Sequence, residues 1–324
     1  MKKIISLILT FAIVFSFCML FTGCGKESGE AKTKFKIGIC QVAQHEALDA
    51  ATKGFIDAVE EKLGKENVTF DSQNAAGDSA TCATIVNQFV SSNVDLIMAN
   101  ATPSLQAAAA ATATIPIVGT SVSHYGIALD IDDFSGTTGI NITGTSDLVS
   151  FKEQADAFAE LLPDAKTVGI IYCSAEANSK YQAVEMNKEL TKKGYTVKEY
   201  TFADSNDIAT VVTTACDECD ALYAPTDNTV ASNAEIVDNI AAPAGIPIFA
   251  GEGGICKGCG IACLNIQYYD IGYQAGVIAA DILKNGTDIT KIAVQSPEKS
   301  EKVFVKDRCE KLNLKVPDGY TELK

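Results

Sequence analysis

The chain of 324 residues carries 41 acidic side chains against 26 basic ones, a formal net charge of −15 at pH 7, with 47% hydrophobic residues and no tryptophan. That balance argues against a nucleic-acid partner, whose phosphates need a basic surface, and against electrostatic adhesion to an anionic membrane. The length and apolar content suit a soluble globular protein large enough for two separate cores.

The chain opens MKKIISLILTFAIVFSFCMLFTGC, with Lys2 and Lys3 ahead of an apolar run from Ile4 to Phe21 and then Thr22, Gly23 and Cys24. A charged start, an apolar segment and small residues before a cysteine predict a signal peptide over 1–23. The ending L-F-T-G-C resembles the lipobox of bacterial lipoproteins, whose cysteine is acylated after cleavage, so Cys24 is the expected lipidation site. Loss of Lys2 and Lys3 with the signal takes the charge to −17. An uncleaved anchor over the same run is the alternative, and either way the folded part lies outside the cytoplasm. Residues 24–34 are polar and lack apolar periodicity, as befits a flexible tether.

Short apolar runs predict strands at KIGIC (36–40), VDLIMA (94–99), IPIVG (115–119), TVGIIY (167–172), ALYA (221–224) and IPIFAG (246–251). Between them, 47–63 places Leu48, Phe55, Val59 and Leu63 on one helical face, and 147–162, 179–193, 228–241 and 268–284 read the same way. Strands alternating with helices predict an α/β fold with mostly parallel sheets covered on both faces. The halves also echo each other. KIGI at 36 matches TVGI at 167, GDSAT at 77 matches NDIAT at 206, VDLIMANATP at 94 matches CDALYAPTDN at 219, and IPIV at 115 matches IPIF at 246. A near-constant shift in one order predicts two similar doubly wound lobes.

Ligands of such lobes bind beyond the carboxyl ends of the strands. Gln41 and His45 follow the first strand, Asn100 and Thr102 follow VDLIMA, and Thr120 to Ser123 follow IPIVG; the second half offers Asn178, Asp227, Asn228 and Glu252. These sets are expected to face each other across a cleft. Thr102 and Asp227 would serve equally as caps of the helices starting at Pro103 and Asn228.

The cysteines pose a separate question. Cys256, Cys259 and Cys263 are spaced C-x2-C-x3-C, and Cys216 and Cys219 stand in CDEC. Thiolates so spaced can face one ion or cluster. The three lack a fourth ligand, however, and both histidines, His45 and His124, lie in the other half. Ordinary thiols or a local disulfide are the expectation, with a thiol or metal redox protein as the rival. No G-x-S-x-G elbow appears, so no catalytic residue, cofactor or metal is assigned.

The stretches QHEALDAATKGF, QNAAGDSAT, NATPSLQAAA, NITGTSDLV, LLPDAKTVGIIYCSAEANS, APTDNTVAS and YYDIGYQAG resemble the tryptophan- and tyrosine-type substrate-binding proteins of ABC importers, across nearly all of 35–320. The resemblance implies a type I periplasmic-binding-protein fold with three crossings between lobes, near 144–147, near Gln267 and Tyr268, and near 294–303. The N-lobe would be 35–144 plus 268–294, and the C-lobe 145–267 plus 295–324. It further implies a monomeric, lipid-anchored receptor that captures an amino acid, an aromatic one, for an ABC permease and its ATPase; a sensory ligand-presenter on the same fold is the alternative. The α-carboxylate is expected at Thr102 and Ser104 with the free N–H groups of the helix from Pro103, because a helix start favours anions. The α-ammonium is expected at Asp227 and Glu252. Gln41 and His45 are contacts or lip residues, Asp147 is a contact or a helix cap, and Ser123, Asn100, Asn178, Asn228 and Gln267 complete the candidate set. Where relatives read like G-A-L-A-T-Y-G, this chain has CGIACLN at 259–265, a departure on the hinge side of the pocket.

Overall fold

The computed structural model describes residues 34–324; the expected signal, Cys24 and all but the last tether residue lie outside the described residues. In chain order come β1 (Phe35–Gln41), α1 (Glu46–Leu63), β2 (Val68–Asn74), α2 (Ser79–Ser91), β3 (Leu96–Asn100), α3 (Thr102–Ala111), β4 (Ile117–Val122), α4 (Tyr125–Leu129) and β5 (Ile142–Ser146). They build a parallel sheet in the order β2-β1-β3-β4-β5. The second half runs α5 (Phe151–Leu161), β6 (Thr167–Cys173), α6 (Ala177–Lys192), β7 (Thr196–Phe202), α7 (Ile208–Glu218), β8 (Ala221–Ala224), α8 (Asn228–Ser232), α9 (Ala234–Ala244), β9 (Ile248–Ala250), α10 (Gly253–Cys259) and β10 (Ala262–Asn265). The chain ends with α11 (Tyr268–Asn285), β11 (Glu301–Phe304), α12 (Lys306–Lys311) and β12 (Thr321–Glu322). The second sheet is ordered β12-β11-β10-β9-β8-β6-β7, with β10 and β11 its antiparallel pair. The expected α/β class with two mostly parallel sheets is therefore what the chain adopts.

Strand chemistry follows position. β3 (LIMAN) and β4 (IVGTSV) are buried at every residue, because helices cover both faces, and so they read as unbroken runs. The edge strands β2 (VTFDSQN) and β7 (TVKEYTF) interleave polar residues and are half exposed. α11 returns to the first sheet and lies along α1, where glycines let the backbones meet. A Cβ on Gly54 would stand 2.1 Å from the Tyr269 carbonyl oxygen, and one on Gly272 2.0 Å from that of Ala51.

Two helices differ from their sequence periodicity. The run 147–162 becomes helical only at Phe151, where the Ser150 hydroxyl accepts from the Glu153 N–H at 3.3 Å, so Asp147 lies ahead of the helix and is not its cap. The run 228–241 is two helices broken at Asn233, whose side-chain amide donates to the Thr229 carbonyl at 2.8 Å in competition with the backbone ladder.

Three strands of chain pass between the sheets, after β5, after β10 and before β11. Thr145 and Gln295 form an isolated parallel bridge there, and the Thr145 hydroxyl donates to the Ile271 carbonyl at 3.1 Å. One apolar cluster spans this region, joining Ala47, Ala51 and Ile271 to Val149 and Ile266. Among the described residues, no helix is long and apolar enough to cross a membrane.

Candidate functional site

In the first sheet the strand order reverses between β1 and β3, and in the second between β6 and β8. Such switch points leave a crevice beyond the carboxyl ends, because the flanking connections diverge to opposite faces. Here the two crevices face each other and are closed together. His45 Nε2 lies 3.3 Å from Asn228 Oδ1, the Gln182 amide donates to the Ser123 hydroxyl at 2.9 Å, and Lys257 pairs with Glu46 at 3.2 Å on the rim. What remains inside is a cavity of about 10 Å³, room for a single water at most. Its lining includes His45, Ser121, Ser123, Asp147 and Tyr268 on one side and Asn178, Thr226, Asp227, Asn228 and Glu252 on the other. Across Asn228, which lines both, stands a wider mouth of about 500 Å³ bounded by Gly77, Asp78, Pro103, Glu176 and Asp204 among others.

Five buried side-chain atoms among the described residues lack a hydrogen-bond partner: His45 Nδ1, Asn100 Oδ1, Ser121 Oγ, Asp147 Oδ1 and Asn178 Oδ1. Four of their residues line this one cavity. An unpartnered buried polar atom costs about 1–3 kcal/mol, so their convergence marks a place where something polar belongs. One wall residue and one helix entry are strained. Ser121 has φ 55° and Ala101, ahead of α3, has φ 82°, conformations that cost a non-glycine residue about 1–3 kcal/mol and that cluster at functional sites.

Each carboxylate is held differently. Asp147 accepts the Tyr268 hydroxyl on Oδ2 at 3.1 Å and leaves Oδ1 free. Burial pushes its pKa up to about 6, against the lowering effect of the Ser123 and Tyr268 hydroxyls. Asp227 accepts from the Cys173 N–H at 2.7 Å and the Val230 N–H at 2.8 Å, tying the end of β6 to the start of α8. Burial, reinforced by nearby Glu176, pushes it up to about 7. Glu252 caps α10 through the Gly254 and Ile255 N–H groups at 2.6 and 2.5 Å, and burial raises its pKa against the pull of His45.

Of the residues expected from sequence, His45, Ser123, Asp147, Asn178, Asp227, Asn228 and Glu252 come together in the cavity. Five do not. Gln41 spends its amide on Ala43 and Asp49 and accepts from Thr52, all within its own lobe. Asn100 donates to the Leu48 carbonyl and to Thr52. The Ser104 hydroxyl points at the Cys82 sulfur, 3.7 Å away in the core. Thr102 is buried as the first residue of α3 and makes no cap bond, since Ala101 holds that position. Gln267 is exposed and faces a groove of about 340 Å³ behind the crossings.

Sequence reasoning missed Tyr268 and Glu176, and named Ser121 only within the stretch Thr120 to Ser123. Glu176 is buried and holds the Asn228 and Thr229 N–H groups and the Asn178 and Asn228 amides, fixing the second-lobe wall. Its one signal was a lone acid in a polar turn after TVGIIYC.

The nine described cysteines are all free and buried. Cys216, Cys219, Cys256, Cys259 and Cys263 share one apolar cluster of the second lobe, with Cys263 on β10. Among the described residues no group of three or more His, Cys, Asp or Glu could hold a metal ion. Burial pushes the Cys216 thiol up to about 11 and that of Cys259 further, the reverse of what a reactive thiolate needs.

Comparison with known proteins adds an independent line. Residues 36–321 match the family model described as ABC transporter substrate binding protein. A tyrosine-binding protein of Clostridioides difficile (strain R20291) is 35% identical over 328 residues, covering 97% of this chain and 93% of that one. The crystal structure of an ABC domain in complex with L-Trp from Streptococcus pneumonia superposes with a TM-score of 0.84 at 30% identity, over 88% of this chain and 96% of that one. A ligand-free, open substrate-binding protein with adhesive properties from Clostridium difficile gives 0.67 at 36% identity, over 90% and 100%.

Proposed function

The chain belongs to the ABC transporter substrate-binding protein family, with the type I periplasmic-binding-protein fold, and from that premise we propose that it captures an aromatic amino acid outside the cytoplasm and delivers it to an ABC permease. The observation that carries the ligand reading is the convergence of four unpartnered polar side chains on one cavity between the lobes. In the closed, empty site each unpartnered group is a penalty, so the ligand-free protein favours an open cleft. A ligand that supplies the missing partners removes those penalties only when both lobes touch it, and so shifts the population to the closed form.

The chemistry of the walls suggests the pose. The ammonium has three N–H donors, and among the unpartnered atoms of the cavity Asp147 Oδ1 and Asn178 Oδ1 are the carboxylate and amide oxygens that can receive them. Asp147 therefore replaces Asp227 and Glu252 as its principal partner, since those two carboxylates already hold backbone N–H groups. The carboxylate is left with the Ser121 and Ser123 hydroxyls and the start of α3. The aromatic group takes the mouth. An aromatic ligand is supported by the tyrosine-binding relative and by the L-Trp-bound neighbour. The higher TM-score to the bound neighbour than to the open, more identical one agrees with a closed arrangement here. In this reading the protein performs no reaction; it works as a monomer, held to the membrane by a lipid on Cys24, and the permease with its ATPase reads the closed surface.

A thermal-shift screen of the twenty amino acids tests it. L-Tyrosine, L-tryptophan or L-phenylalanine at a hundred times its dissociation constant adds about 2.7 kcal/mol to stability, and acidic amino acids add nothing. Stabilisation by none of the three aromatic amino acids refutes the reading.

A further inference from the structure

We propose that the cleft selects its ligand through the ammonium group and hardly through the carboxylate, so that decarboxylated aromatic amines, such as tyramine, are ligands of the same site. The inference rests on the aromatic amino acid reading above and extends it to a second substrate class. Its basis is the charge of the walls. Neither the enclosed cavity nor its mouth has a lysine or an arginine in its lining. The cavity presents Asp147, Asp227 and Glu252, and the mouth adds Asp78, Glu176 and Asp204. Lys257 is committed to Glu46 on the rim, and Arg308 to Asp238 and the carbonyls of Lys257 and Gly258.

A carboxylate in this cleft finds neutral hydroxyls, the partial positive charge at the start of α3, and His45, whose Nε2 is engaged with Asn228 and whose Nδ1 is unpartnered. It also faces the repulsion of the surrounding acids. An ammonium finds the opposite: a free carboxylate oxygen on Asp147, a free amide oxygen on Asn178, and a field that favours it from every side. Deleting the carboxylate from the ligand removes hydrogen bonds from hydroxyls and a helix start but no ion pair, and relief of the repulsion from the surrounding acids offsets that loss to within about tenfold in affinity. Deleting the ammonium leaves a buried carboxylate unpaired, a loss of about a hundredfold or more.

Three ligands that share one ring separate these effects on the wild-type protein by calorimetric titration: L-tyrosine, tyramine, and 3-(4-hydroxyphenyl)propanoate, which lacks the amine. The expected result is tyramine within about tenfold of L-tyrosine and the propanoate at least about a hundredfold weaker. Tyramine weaker by more than that tenfold, or the propanoate within that hundredfold, overturns the inference while leaving amino acid capture intact. Binding of tyramine without any of the three aromatic amino acids overturns amino acid capture and supports selection by the ammonium. Binding by none of the ligands overturns both.

Discussion

Replacing Asp147 with asparagine should make the empty protein more stable and the site far weaker. Asp147 is 4% exposed, and its pKa is raised from 3.8 to about 6, burial being the chief cause. Between those values the native state holds a proton that the unfolded chain has released, so native protein binds more protons and wild-type stability falls as pH rises. A displacement of about 2 in pKa corresponds to about 3 kcal/mol, fully expressed above pH 6 and absent below about pH 4. Asparagine keeps an oxygen for the Tyr268 hydroxyl and turns its amide toward the position of the unpartnered Oδ1, so it avoids the burial penalty without losing the contact. Denaturant unfolding of the ligand-free protein from pH 4 to pH 8 should show curves that coincide at pH 4 and separate by about 3 kcal/mol in favour of Asp147→Asn at pH 8. In the same variant, loss of the charge-assisted contact should weaken L-tyrosine by about thirtyfold at pH 8. A variant less stable than wild type at pH 8, or one that binds L-tyrosine as tightly, would refute the assignment of Asp147 as the ammonium acceptor.

Binding by the wild-type protein should itself strengthen as pH rises through about 6, since Asp147 must shed its proton to receive an ammonium; affinity that falls over that range, read by calorimetry, contradicts the charge assignment. Gly54→Ala should destabilise by at least about 2 kcal/mol in denaturant unfolding, because its Cβ would stand 2.1 Å from the Tyr269 carbonyl oxygen where α1 and α11 meet. The nine described thiols should resist an aromatic disulfide reagent in the folded protein and react on unfolding; rapid labelling of a CDEC or C-x2-C-x3-C thiol in the native state would restore the redox reading.

The parts of the fold legible in the sequence are those whose burial is uniform. β3 and β4 stand inside a covered sheet, so all but their carboxyl-terminal positions are apolar or small and the run declares itself. β2 and β7 are edge strands with one wet face, and VTFDSQN and TVKEYTF carry too many polar residues to stand out from loop. At the site, the loops after the strands were legible because parallel topology fixes where ligands meet the chain, but the direction of each side chain was not. Gln267 and Tyr268 are neighbours at the start of α11; helix phase turns Tyr268 inward to Asp147 and leaves Gln267 exposed. Ser104 fell on the core side of α3 for the same reason. Ser121 lies in the expected stretch Thr120 to Ser123, but its φ of 55° carries no sequence signal. Asp147 was ambiguous between contact and cap until Ser150 proved to be the cap.

The central claim, an aromatic amino acid enclosed between the closed lobes, is tested most directly by the emission of L-tryptophan added to the protein. The chain has no tryptophan, so the ligand's indole is the sole indole emitter in the sample. Enclosure should shift its emission to shorter wavelength, saturably, with reversal by excess L-tyrosine and weakening in Asp147→Asn. Emission unchanged at saturating protein, together with no calorimetric heat from L-tyrosine or L-phenylalanine, would contradict the account.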